Sequence, residues 1–287
     1  ISHRDDEYVR ERLPRMVERF GSLGVDITAE PMEVAPTAHY TMGGVDIDPH
    51  TGETAVDGLY AVGETTAGVH GANRLGGNSL AETVAIAKPV GQHIASEINS
   101  AGVVTDGGTE TVDGPVVGTD AELSVRMRAA AEREFADLKR LEAADGESTP
   151  ETLLDELGEL LWNHAGIIRT GDELQAGLDK LAVIQARVAD LTVQGDRTSR
   201  SFELAVDLGF SLTVAEATLR GALERTESRG AHYRADHPDR IDDWQQNIIV
   251  SDSETGLSLN KRPVGQPSQA VQTAVDGQYE LDYHHLE

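Results

Sequence analysis

The chain of 287 residues carries 50 acidic side chains against 24 basic ones, a formal charge of −26, with 39% hydrophobic residues and no cysteine. That is enough apolar material for one large domain or two modest ones. The charge opposes binding to nucleic acid or anionic membrane surfaces, and the missing thiols exclude disulfides, thiolate metal sites and iron–sulfur ligation within these residues.

The opening residues, ISHRDDEYVRER, do not resemble a signal peptide. No apolar run approaches the roughly 18 residues of a membrane span. The expectation is a cytoplasmic protein without a membrane span of its own. A start at isoleucine inside a charged helix points to a piece of a longer protein. Residues 5–22 show helical spacing through Tyr8, Leu13, Val17 and Phe20, with Gly24 placed to follow the helix end.

From 31 to 62 the pattern changes. EVAPTAHYTMGGVDID and TAVDGLYAVGE read as strands joined by the turn-rich DPHTGE. The glycine-rich GVHGANRLGGN then feeds a helix from about Ser79 to Asn99, with Asn78 as its N-cap and Pro89 expected to kink or split it near Lys88.

The small, polar residues 100–118 read as a linker. Helical segments follow at about 120–142, from the capping box Ser148-Thr149-Pro150-Glu151, from a second box Thr170-Gly171-Asp172-Glu173, and from Ser201 to Arg229 with Gly230 at C′. Short connections favour an antiparallel bundle whose core takes Leu153, Leu157, Leu160, Leu161 and Trp162. The remainder reads as an irregular tail, with a short strand in VGQPSQAVQTAV. The expected fold class is α+β, divided into a helical lead-in at 1–24, short strands plus a helix at 25–100, a linker at 101–118, a helical bundle at 119–235 and the tail at 236–287.

The stretch 58–83, GLYAVGETTAGVHGANRLGGNSLAET, sets a strand, a carboxylate, a glycine-rich turn and a helix start in succession. A helix start offers unpaired N–H groups and partial positive charge, and Gly71, Gly76 and Gly77 let backbone approach a flat ligand. Glu64 is suited to accept hydrogen bonds from ribose-type hydroxyls; the alternative is an ordinary turn carboxylate. Arg74, between small residues, would present its fork to a ligand carboxylate or form a surface ion pair. His39 would donate to a second carboxylate or bond to backbone; His70 has the same two readings and ranks below His39, because bracing the loop would also account for it. The run Glu227-Ser228-Arg229-Gly230, with His232 and Arg234, reads either as a docking surface or as an internal ion-pair cluster.

APTAHYTMGG, GLYAVGE and HGANRLGGNSL, in this order, resemble the signature of the succinate dehydrogenase and fumarate reductase flavoproteins, a family that includes L-aspartate oxidase. LLWNHAGIIRTGDELQAGLDKL at 160–181 is similar to that family's middle helices, and ERTESRGAHYRADHPDRIDDW at 224–244 to the segment closing its helical domain. The resemblance covers about 25 to 245 and implies the carboxy-terminal portion of such a protein.

It implies FAD as cofactor, with Glu64 on the adenosine ribose and the helix start at Asn78, Ser79 and Leu80 against the cofactor. It implies His39 and Arg74 as ligands of a dicarboxylate, succinate or fumarate, between which a hydride passes to or from the flavin. No metal ligand is implied. An iron–sulfur subunit is the implied partner, at the cytoplasmic face of the membrane.

The family's GxGxxG fingerprint, flavin-linking histidine and capping-domain arginine have no counterpart here, so these residues alone are expected to be inactive. Leu75-Gly76-Gly77 favours the dehydrogenase and reductase branch over L-aspartate oxidase. A stand-alone helical interaction module with a vestigial flavoprotein segment is the remaining alternative. So lysine-poor an acidic composition, with lysine only at Lys88, Lys139, Lys180 and Lys261, resembles proteins of salt-accumulating cells.

Overall fold

The computed structural model describes residues 3–32, 39–100, 121–253 and 256–277, and the chain divides into two compact units, Ile1–Thr41 and Met42–Glu287. The first unit holds two helices where one was expected, α1 (Asp6–Arg12) and α2 (Pro14–Gly21). Proline forces the break. Pro14 takes the first position of α2, and Leu13 before it is pushed to φ −127°, ψ 45°. Val9 and Ile27 are buried, with Thr28 beside them, while Tyr8 lies 43% exposed. Gly24 closes α2 as expected: at φ +82° it sends its N–H to Gly21 O, while the Val25 N–H reaches Phe20 O, both at 3.0 Å.

In the second unit the expected strands shrink to single bridges, Val45 to Thr66 and Glu53 to Tyr60; residues 33–38 fall outside the described residues. Pairing stays local: around the second bridge Thr54 N–H reaches Leu59 O and Ala61 N–H reaches Gly52 O, both at 2.9 Å, and the turns on either side stop it from lengthening into a ladder. The DPHTGE turn is built by Asp48, whose carboxylate accepts from the N–H groups of His50 and Thr51 at 2.8 and 3.0 Å.

The helix α3 (Asn78–Ser100) begins on Asn78 itself and runs through Pro89 without splitting. Ala85, whose carbonyl loses its donor to the proline, is exposed, so water can take the place of that bond. Val90 anchors the helix beyond the proline: it is 2% exposed, and a Cβ on Gly52 would come within 2.6 Å of its Cγ1. The expected linker at 101–118 lies outside the described residues.

Four helices follow, α4 (Ala121–Glu142), α5 (Pro150–His164), α6 (Gly171–Arg187) and α7 (Arg200–Glu224). The last three pack together through Leu153, Leu157 and Leu160, Leu174, Leu181 and Ile184, and Leu208, Leu212 and Leu219. These recur every three to four residues, one face of each helix. Trp162, expected in this core, is 63% exposed because it lies off the stripe that Leu153, Leu157 and Leu160 define.

The first cap falls one residue later than the box predicts: Thr149 Oγ1 accepts from the Thr152 N–H at 3.2 Å. Thr170 caps α6 through the Glu173 N–H, also at 3.2 Å, but the Glu173 carboxylate turns to His164 Nδ1 at 2.7 Å instead of returning to the cap. The helix α7 ends at Glu224, not at Gly230. Arg225 leaves the helix at φ −80°, ψ 102°, and its guanidinium donates to the carbonyls of Trp244 and Gln246 at 3.0 and 2.6 Å.

Strands β1 (Ile168–Arg169) and β2 (Tyr233–Arg234) pair in parallel within the expected bundle region. The expected irregular tail carries regular structure: β3 (Gln246–Ser253) with β4 (Gly256–Pro263) forms an antiparallel hairpin in the register Val250 to Leu259. VGQPSQAVQTAV yields no strand but a helix, α8 (Gln269–Asp276), which Ser268 starts by accepting from the Val271 N–H at 3.4 Å. The hairpin docks by side chains of β4. Lys261 lies over the Trp244 ring at 4.1 Å and pairs with Glu224 at 2.8 Å, and Arg262 grips Asp46 with two hydrogen bonds of 2.7 and 2.6 Å.

Candidate functional site

The segment from Met42 to Leu80 assembles around a one-turn 3-10 helix at Gly63–Thr65. Thr66 is buried, with its hydroxyl on Gly63 O at 2.8 Å. Val45 bridges that turn through its N–H to Thr65 O at 2.8 Å and its O to the Ala67 N–H at 3.0 Å. A Cβ on Gly44 would lie 2.3 Å from Thr65 O, so the second glycine of the TMGG motif is what lets backbone lie on backbone here.

Glu64 stands exposed on this turn. The loop beyond it is held at both ends. His70 Nε2 approaches the Glu82 carboxylate of α3 at 3.4 Å with both side chains buried, and the Arg74 N–H donates to Met42 Sδ at 3.0 Å. His70 thus braces the loop from inside.

Arg74 is half-buried, and one guanidinium N–H donates to Leu75 O at 3.1 Å. Three residues on, Gly77 has φ +80°, and a Cβ on Gly76 or Gly77 would meet nothing within 4 Å. Asn78 and Leu80 are exposed, Leu80 by 78%, and Ser79 is half-buried. No acidic residue occupies the first turn of α3, so nothing there offsets the positive end of the helix. Open glycines, a helix start without an acidic residue and an uncovered leucine fit the edge of a flat polar group such as a flavin. His39 is exposed near the end of the first unit. Among the described residues no group of three or more histidines and carboxylates is arranged for a metal ion.

A second cluster resolves the alternatives for 227–234 in favour of an internal network. Glu227 is fully buried and accepts from Arg229 at 2.6 and 3.0 Å, from Arg225 at 2.8 Å and from the Ile241 N–H at 2.8 Å. Burial opposes its charge, but these hydrogen bonds outweigh it and hold the carboxyl below the usual range. Arg234, 2% exposed, closes the end of α7 by donating to Ala222, Leu223 and Arg225 carbonyls at 3.0, 3.1 and 3.3 Å.

His232 receives Arg169 on Nδ1 at 3.0 Å and bonds to Arg225 O through Nε2 at 3.3 Å. Burial, reinforced by the neighbouring Arg169, Arg225 and Arg234 charges, lowers its pKa to about 4. The turn 229–232 also touches the glycine-rich loop, through Ala231 N–H to Ala72 O at 3.1 Å. No sequence spacing announces that contact, since its partners are 159 positions apart (231 − 72).

Residues 1–80 match a model of an FAD binding domain, and residues 154–275 match the model of the fumarate reductase flavoprotein C-terminal region. A fumarate reductase (CoM/CoB) chain from Methanothermobacter marburgensis is 36% identical over 253 residues, covering 88% of this chain and 42% of that protein. An L-aspartate oxidase from Pseudomonas aeruginosa is 33% identical over 251 residues, covering 87% and 41%. The structure of Mycobacterium smegmatis Sdh1 in complex with UQ1 superimposes with a TM-score of 0.73 at 34% identity, over 98% of this chain and 45% of that one. The chain spans less than half the length of the curated relatives it matches.

Proposed function

From the premise that the chain belongs to the succinate dehydrogenase and fumarate reductase flavoprotein family, matching its carboxy-terminal portion, we propose that the intact protein interconverts succinate and fumarate. FAD is the cofactor of the intact protein, and when bound it supplies the two-electron exchange. The observation that carries the reading is the Arg74 loop, whose backbone N–H is held by Met42 Sδ and whose half-buried guanidinium stands just before the open helix start at Gly77.

Arg74 binds one substrate carboxylate with its planar fork, and His39 donates to the other. Together they orient the dicarboxylate and stabilise charge as a proton is removed beside a carboxylate. Glu64 accepts from the ribose hydroxyls. The amides of Ser79 and Leu80 would donate toward the polar ring edge, Asn78, whose own N–H is held by Leu75 O at 3.3 Å, would offer its side chain, and the exposed Leu80 side chain would exclude water from it.

In this reading electrons pass to clusters on an iron–sulfur partner subunit, which holds the protein peripherally at the cytoplasmic membrane face; the resemblance to complex flavoprotein subunits supports it. No helix among the described residues is long and apolar enough to cross a membrane.

In the full-length protein, Arg74→Ala is expected to lower succinate turnover by about two orders of magnitude or more while the flavin absorbance stays. Wild-type turnover in that variant removes Arg74 from the site. Oxidation of L-aspartate and not succinate, with an artificial electron acceptor, replaces this reading with an L-aspartate oxidase.

A further inference from the structure

The carbonyl of Ala72, two residues before Arg74, is the point where the last third of the chain presses on the glycine-rich loop. Ala231 donates its N–H to that oxygen at 3.1 Å. A Cβ built on Gly230 would lie 2.2 Å from the same oxygen, 2.5 Å from the Ala72 carbonyl carbon and 2.7 Å from the Ala72 Cβ. None of these atoms is the end of a flexible side chain, so no rotamer change makes room.

The turn that does the pressing is fixed from behind. Arg229 and His232 exchange backbone hydrogen bonds of 2.8 and 3.1 Å, which hold Gly230 at φ +60°. The Arg229 guanidinium is tied to the buried Glu227 and to Ile241 O at 2.9 Å, and the His232 ring is held between Arg169 and Arg225 O. On the loop side Ala72 is exposed, and the neighbouring anchors are the His70–Glu82 pair and the Arg74 amide on Met42. The loop is thus pinned at 70, 72 and 74, and the middle pin comes from a distant part of the chain.

We infer that Gly230 and Ala231 are positioning residues for Arg74. They fix the carbonyl of residue 72 and with it the direction from which the guanidinium meets a dicarboxylate; the inference rests on the proposed role of Arg74 in holding a substrate carboxylate. A methyl group at 230 must displace the loop backbone by about 1 Å, and a misplacement of that size in a binding or catalytic group costs up to about a hundredfold.

The test uses the full-length flavoprotein and malonate, a dicarboxylate with no carbon–carbon bond to oxidise. Malonate affinity is read by titration calorimetry, flavin content by visible absorption, and KM and kcat with succinate. Gly230→Ala is expected to keep its flavin, weaken malonate by about tenfold or more and raise KM more than it lowers kcat. Gly256→Ala, at φ +102° in the hairpin turn with nothing within 4 Å of its Cβ, introduces comparable backbone strain away from the loop and is expected to bind malonate as the wild type does.

A second measurement needs no variant. Coupling is reciprocal, so malonate is expected to slow hydrogen exchange of the Ala231 amide in the wild-type protein. Malonate affinity within about twofold of wild type in a folded Gly230→Ala overturns the inference, as does Ala231 exchange indifferent to malonate. If Arg74→Ala binds malonate like the wild type, the reading of Arg74 itself falls. If Arg74→Ala abolishes binding while Gly230→Ala does not weaken it, only the positioning role falls.

Discussion

From Pro150 to Glu224 each helix turns a stripe of leucines inward, and Leu153, Leu174, Leu181, Leu208 and Leu219 are almost wholly shielded from water. From Met42 to Leu80 the fully buried residues are Gly52, Gly63 and Thr66, while Val45, Val56, Leu59, Val69, Leu75 and Leu80 face out. The first region is held by its own apolar core. The second takes its shape from hydrogen bonds, close backbone contacts and anchors supplied by other segments. A surface that leaves so much apolar area uncovered suits the proposed role as one wall of a larger cofactor site.

The sharpest way to break this contrast is to truncate one leucine in each region. Leu219→Ala is expected to cost about 3 kcal/mol in denaturant unfolding, and Leu59→Ala less than about 0.5 kcal/mol. Equal losses would mean that the glycine-rich region has a core of its own.

Acid probes the anchors next. An unfolded histidine, titrating near its ordinary 6.5, takes up a proton that the native His232 refuses until about 4. In that window the unfolded state binds more protons, so stability is lost as pH falls from about 6.5 to about 4. The depressed carboxyls of Glu227 and Asp46 extend the loss to lower pH as each is protonated. Urea titrations of His232→Gln are expected to show a flatter slope over the histidine window. An unchanged slope would place the pH sensitivity elsewhere.

The smallest effect belongs to the Asp46–Arg262 tie, whose side chains are about half exposed. Asp46→Asn is expected to cost less than about 1 kcal/mol, a difference that shrinks in KCl. The melting temperature of the parent protein is expected to rise with KCl as the charge of −26 is screened. A melting temperature indifferent to KCl would remove the salt-adapted reading of the composition.

What could be read from the sequence was local. Thr170 and its Glu173 amide, the leucine stripes and the Gly24 closure are each set within a few residues, and spacing exposes them. Trp162 was misassigned because hydrophobicity outweighed its position off the stripe. Gly230 looked like a helix end because a positive φ suits both a C′ residue and a tight turn; what decided was Arg225 reaching for Trp244 and Gln246. The strands around Val45 and Tyr60 were over-read because alternation says nothing about whether a neighbour is present. At the site, motifs pointed to Arg74 and Glu64, whereas the contact of Gly230 with Ala72 depends on how distant segments meet.

The Asp46–Arg262 grip also sets an order of events during folding. It closes a loop of 216 residues, against 12 between His70 and Glu82 (82 − 70), and closing the longer one costs about 2.5 kcal/mol more entropy. The tie therefore forms after the helices have drawn the chain together. At about 5 to 20 residues per second, residue 46 leaves the ribosome roughly 10 to 40 s before residue 262. For much of that interval the loop at Ala72 lacks the 229–232 turn, and Asp46 lacks the hairpin, so the glycine-rich region is held by its own short-range contacts alone.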